Sequence, residues 1–139
     1  MNATTNQTAV SLQIQNVKHR FDDFWALRGI NLDVQPGEFL TLLGPSGSGK
    51  TTLLRIISGM LYPTEGKLLI GGQDMTRVPP QKRNMGFVFQ NYALFPHMTV
   101  FENVAFPLRL RKVNKEEIKT RVADALSLVE LGGLDKRYP

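Results

Sequence analysis

The stretch "GPSGSGKTT", residues 44–52, stands between two apolar runs, "FLTLL" at 39–43 and "LLRII" at 53–57. Gly44, Gly49, Lys50 and Thr51 satisfy the spacing G-x-x-x-x-G-K-[ST], in the order strand, loop, helix. A chance Gly/Ser turn would leave Lys50 unexplained at the start of a helix that wants burial. A phosphate group explains it. Glycines let the backbone curl until successive N–H groups converge on anionic oxygens. The helix that follows adds its unpaired amides and its positive pole. In such a loop Lys50 meets the β and γ phosphates, the Thr51 hydroxyl ligates Mg²⁺, and Thr52 reaches the α phosphate. Pro45, Ser46, Gly47 and Ser48 complete the cradle, the serines being small enough to leave it open.

Outward from the loop, the two apolar runs differ in kind. "FLTLL" is almost continuously apolar, which predicts a strand buried on both faces of a parallel sheet, and "MGFVF" at 85–89 is a second strand of that type. Leu53, Leu54, Ile56 and Ile57 suit a helix packed on that sheet and ending near Gly59. "SLQIQNV", "INLDV" and "KLLI" alternate or run as short strands of an antiparallel layer, with turns at 63–66 and at Gly71-Gly72. Asn114 and Glu117 have capping-box spacing and open a helix whose face carries Ile118, Val122, Leu126 and Val129, with Gly132 as its stop. The segment 90–110 is rich in aromatics and prolines and reads as loops with short helical pieces. The predicted class is α/β, a phosphate-loop core with an antiparallel β layer.

At 139 residues, 42% hydrophobic and 21% charged, the chain has the size and composition of one soluble globular domain. Without cysteine it has no disulfide, thiolate metal site or thiol nucleophile. The first residues, 1–11, are a polar tail with neither a basic nor an apolar signal region, so the sequons at Asn2 and Asn6 carry no weight. The net charge of +5 invites a nucleic-acid reading, but the cations gather in "RLRKVNKEEIKTR", 109–121, with no aromatic among them. A solvated helix face is the plainer account, and no nucleic-acid partner is expected.

A GTPase would need N-K-x-D and D-x-x-G, and neither occurs; a small-molecule kinase would not explain the flanking sequence. From "HRFDDFWALRGINLDVQPGEFLTLLGPSGSGKTTLLRIISGMLYPTEGKLLIGGQDM" to "GFVFQNYALFPHMTVFENVAF" the chain resembles the ATP-binding subunit of ABC transporters. It is most similar to the importer branch serving polyamines, sulfate, iron or maltose, over residues 12–139. The resemblance implies ATP and Mg²⁺ as cofactors, and transport ATPase activity that energises uptake of a solute, polyamine among the candidates. It places Phe21 where the family stacks a ring on adenine, with Trp25 as the alternative ring. Gln90 falls on the Q-loop glutamine, which touches the Mg²⁺ shell and orients water. The segment from Asn91 to Val100, with Tyr92, Leu94, Phe95 and Met98, then receives a transmembrane permease. A second ATP-binding subunit completes a homodimer, a solute-binding protein acts indirectly, and the subunit sits peripherally on the cytoplasmic face of the inner (plasma) membrane.

Three family features are missing: the "LSGGQ" signature, a strand of four apolar residues followed by Asp-Glu (Walker B), and a switch histidine. "LGGLD" at 131–135 only echoes the signature, and His19 and His97 both lie too early to be the switch. The expectation is therefore a partial ATP-binding domain over 12–139 that holds nucleotide but cannot hydrolyse it by itself. The alternative is a non-catalytic nucleotide-binding or regulatory fragment.

Overall fold

The computed structural model describes residues 9–91 and 93–139. Most of the polar tail, both sequons and Tyr92 lie outside the described residues. The chain divides into two compact units, Met1–Phe87 and Val88–Pro139.

The first unit is built on a four-stranded sheet in the order β2-β1-β3-β4, formed by β1 (Leu12–Phe21), β2 (Phe24–Val34), β3 (Glu65–Ile70) and β4 (Gln73–Asp74). All of its pairings are antiparallel, as the alternating segments predict. Two details depart from simple alternation. A bulge in β1, with Asn16 at φ 49°, moves the buried positions from Ile14 to Val17 and His19. β2 begins six residues before "INLDV", because a turn at Asp22-Asp23 sets Phe21 opposite Phe24. The turn expected at 63–66 is shorter, since Glu65 and Gly66 already belong to β3.

Helix α1 (Lys50–Ser58) buries Leu53, Ile56 and Ile57 against Ile14, Val17, Leu27 and Leu68 of the sheet, and Gly59 ends it as expected. Leu54 faces solvent instead of the core. The far end of α1 is held by a residue from outside the helix. Arg83, 4% exposed, donates from Nε to the Val78 carbonyl and from Nη1 to the carbonyls of Ile56 and Ile57, each at 2.7 Å. The last carbonyls of a helix have no partner a full turn further on; Ile56 accepts from the Gly59 amide at 3.1 Å, and the guanidinium adds a buried cap to it and to Ile57. Burial lowers its pKa from the ordinary arginine value.

The two runs read as parallel strands are not strands here. Residues 39–43 belong to no sheet, with Phe39 93% and Leu43 88% exposed, and only Leu42 packs on the core. Residues 85–89 cross the division between the units and likewise join no sheet, with Val88 95% exposed. A parallel strand buried on both faces needs hydrogen-bonded neighbours and a covering layer on each side. The described residues supply no such neighbours. The antiparallel layer and its helix therefore carry the α/β character.

The second unit is a helix pair. α2 (Val100–Leu110) occupies part of the segment read as loops. Thr99 caps it, accepting from the Glu102 amide at 3.2 Å while the Glu102 carboxylate accepts from the Thr99 amide at 2.7 Å. Asn103 ties the approach to the first turn, its Nδ2 donating to the carbonyls of Phe95, Met98 and Thr99. α3 (Lys115–Leu128) starts at Asn114, whose side chain accepts from the Glu117 amide at 2.8 Å, as the spacing predicts. Ile118, Val122 and Leu126 bury against Ala105 of α2. Val129 caps the helix and is exposed, and α3 ends before Gly132, which is not its stop.

Candidate functional site

The phosphate loop runs from the apolar run into α1, and three backbone facts shape it. Gly47 and Gly49 take φ of 79° and 91°, conformations in which a side chain is strained. Gly49 is also in close contact with β2: a Cβ there would lie 2.7 Å from the Ala26 carbonyl oxygen and from Leu27 Cδ2. The loop is thereby seated on the strand that begins at Phe24. Third, the N-terminus of α1 has no side-chain cap, so amides of its first turn stay available to an anion.

Lys50 opens the helix, and its ammonium is bound by its own loop. Nζ donates to the carbonyls of Gly44 and Pro45, both at 2.7 Å, and to Ser48 Oγ at 3.1 Å. The positive charge is thus held over the loop by three hydrogen bonds. A cavity of about 370 Å³ lies beside it, lined by Phe21, Phe24, Ala26 and residues 46–52. It joins the Lys50, Thr51 and Thr52 side of the loop to two aromatic rings. Gly44 and Pro45 instead line a neighbouring crevice with Leu27, Leu53 and again Lys50.

Phe21 is 46% exposed and stands edge-on to His19, ring centroids 4.6 Å apart at 79°. Both imidazole nitrogens of His19 are buried without a hydrogen-bond partner, so the ring serves as packing behind Phe21. Trp25 does not line the cavity; it sits under the Arg20 guanidinium, 5.8 Å from the ring centroid. Phe24, 62% exposed, is a cavity residue that sequence reasoning missed. Its signal was "FDDF", two phenylalanines across a two-residue turn.

Gln90 lies in a turn at the start of the second unit and is exposed. In the segment from Asn91 to Val100, Leu94 is 54% exposed, and the Phe95 ring packs against Phe106 at 4.9 Å and His97 at 6.0 Å. Phe95 therefore belongs partly to the packing of its own unit.

The donor set has a definite chemistry. The cavity offers hydroxyls, backbone amides and one ammonium, and its lining contains no carboxylate. No cluster of three or more His, Asp or Glu suited to a metal occurs among the described residues. Such a lining fits Mg²⁺ carried in on phosphate oxygens and water with a single hydroxyl from the protein, as for Thr51, and does not fit an all-protein metal cage. Among the described residues no helix is long and apolar enough to cross a membrane.

A glycine-rich loop leads into a helix N-terminus and shares one cavity with aromatic side chains from an antiparallel layer. The chain belongs to the ABC transporter family, whose model matches residues 27–139. It is 53% identical over 134 residues to the sulfate/thiosulfate import ATP-binding protein CysA of Xylella fastidiosa, covering 94% of this chain and 38% of that protein. To the spermidine/putrescine import ATP-binding protein PotA of Nitrosomonas eutropha it is 54% identical over 128 residues, 92% of this chain and 35% of that protein. Among solved structures, it resembles the dimeric post-hydrolysis state of the ATP-binding cassette MJ0796 bound to ADP and Pi. The TM-score is 0.79 and the identity 32%, over 92% of this chain and 61% of that one. The chain thus spans little more than a third of the curated relatives' length.

Proposed function

We propose that this chain is the nucleotide-binding part of an ABC importer ATPase subunit, and that it binds Mg·ATP to energise solute uptake. The observation that carries the reading is the single cavity shared by Phe21, Phe24 and the phosphate loop. A planar base and a triphosphate are the two ends of one molecule, and this cavity has a stacking wall and an anion cradle. Stacking reads a π face and hardly any hydrogen-bond pattern, so the base contributes affinity with little selectivity.

Each residue has a separable part. The loop amides and the first turn of α1 hold phosphate oxygens. Lys50 exchanges its loop carbonyls for the β and γ phosphates, so no long side chain has to be ordered when nucleotide binds. Thr51 places its hydroxyl for the metal, and Mg²⁺, when bound, supplies charge neutralisation at the phosphates. Gln90 is assigned to water orientation, and the segment from Asn91 to Val100 to contact with the permease at the cytoplasmic side of the membrane. A second copy of the subunit completes the assembly; the cassette bound to ADP and Pi is itself dimeric.

The test is titration with a fluorescent ATP analogue, with and without Mg²⁺, of the protein and of Lys50→Ala. A charge-assisted contact contributes about 2 kcal/mol, so Lys50→Ala should weaken binding roughly 30-fold while leaving the fold intact. Equal affinity of the two proteins would refute the site.

A further inference from the structure

The nucleotide site leaves the basic stretch 109–121 unexplained. It holds six cations against Glu116 and Glu117, a net +4 out of the chain's +5. The structure places this charge at the corner where α2 turns into α3. Glu116 pairs with Lys119 at 3.0 Å, and Glu117 pairs with Arg121. That uses both local carboxylates. Among the described residues Arg109, Arg111, Lys112 and Lys115 have no carboxylate at ion-pair distance; Glu102 influences Arg109 only from further away. Arg109 and Lys115 overhang a crevice of about 430 Å³ whose floor is Phe101, Val113 and Ile118. Leu110, the last residue of α2, projects beside them, 68% exposed. Lys112 takes φ 56°, a backbone position that favours glycine, so the corner carries a further cation where the backbone would favour a residue without one.

We propose that this corner docks on anionic phospholipid at a membrane surface. Unpaired cations around an apolar crevice, with a leucine projecting among them, match a headgroup phosphate above glycerol and acyl carbons. A soluble phosphate would leave Leu110 and the crevice floor without use. Nucleic acid would use the cations, but 109–121 contains no aromatic residue to stack on bases.

The experiment is sedimentation of the purified protein with vesicles of phosphatidylcholine alone or containing about one third phosphatidylglycerol. Four unpaired cations predict binding to the anionic vesicles on the order of a thousandfold tighter than to neutral ones at low salt. It should be largely lost at about 0.5 M salt. The double variant Arg109→Glu, Lys115→Glu should remove the preference. Lys112→Gly should weaken binding about fivefold while relieving backbone strain, so its effect is not one of misfolding. Lys67→Glu, in the first unit, should change little. Equal partition to neutral and anionic vesicles, or full retention of anionic binding in Lys112→Gly and the double variant, overturns the proposal. So does displacement by glycerol phosphate or by a single-stranded oligonucleotide at phosphate concentrations well below those of the lipid.

Discussion

Replacing Gly49 by alanine tests how the phosphate loop is seated. Two costs meet at that residue. At φ 91° any Cβ is strained, which costs about 1–2 kcal/mol. The same Cβ would sit 2.7 Å from the Ala26 carbonyl oxygen and from Leu27 Cδ2, so the backbone of β2 has to yield. Overpacking of that kind adds about 1–3 kcal/mol. Gly47 is the control. Its φ is 79°, but nothing lies within 4 Å of its missing Cβ, so Gly47→Ala pays the strain alone. Urea unfolding at equal m-values should therefore show Gly49→Ala losing about 2–5 kcal/mol and Gly47→Ala about 1–2. The larger loss should come with weaker ATP binding, because the loop is pushed off the strand that begins at Phe24. If the two losses agree within about 0.5 kcal/mol, contact with β2 is not what holds the loop, and the reasoning fails.

Phe21→Ala should weaken ATP several-fold while leaving inorganic tripolyphosphate unaffected, and Trp25→Ala should change neither by much; a larger effect at Trp25 would reverse the assignment. Gln90→Ala, measured in the intact transporter, should lower turnover far more than nucleotide affinity, and unaltered ATPase and transport rates would reduce Gln90 to a surface residue. Thr99→Ala should destabilise α2 by about 1 kcal/mol in thermal unfolding. Hydrogen bonds from the Thr99 amide and hydroxyl hold the Glu102 carboxylate below its ordinary 4.5. The bonus from that ionised cap is therefore full above that pH and lost as pH falls through the lowered value, a slope that should vanish in Glu102→Gln.

The loop was legible in the sequence because its chemistry dictates residue types one by one. Gly49 cannot bear a side chain, and Lys50 has no reason to open a buried helix without an anion. The antiparallel strands were legible through alternation, up to the point where Asn16 bulges and shifts the inward face. β2 was half hidden, since "FWALRG" does not alternate and its turn uses Asp22 in the left-handed region instead of glycine. α2 was obscured by Pro107, although "TVFE" carries the Thr99 and Glu102 of a capping box. For "FLTLL" and "MGFVF" the apolar run reports a demand for burial, not the identity of the strands that meet it. Arg83 gave no signal at all, because a cation in "QKRNM" reads as surface until the carbonyls it reaches are known. For the two candidate rings, the structure adds that Phe21 shares the loop's cavity and Trp25 does not.

Arg83 has a consequence for how the first unit opens. One guanidinium collects carbonyls from Ile56, Ile57 and Val78, while the Arg83 amide is bonded to Pro80. The last turn of α1 therefore cannot fray unless segment 78–83 comes away with it. In native-state hydrogen exchange, the amides of Gly59 and Arg83 should share one opening free energy, and Arg83→Met should release both. The phosphate end of α1 has no such clamp. Left alone, the helix should breathe from the end that faces the anion, and ligand should quiet that end only, so nucleotide would be registered as a change in protection running one way along a nine-residue helix.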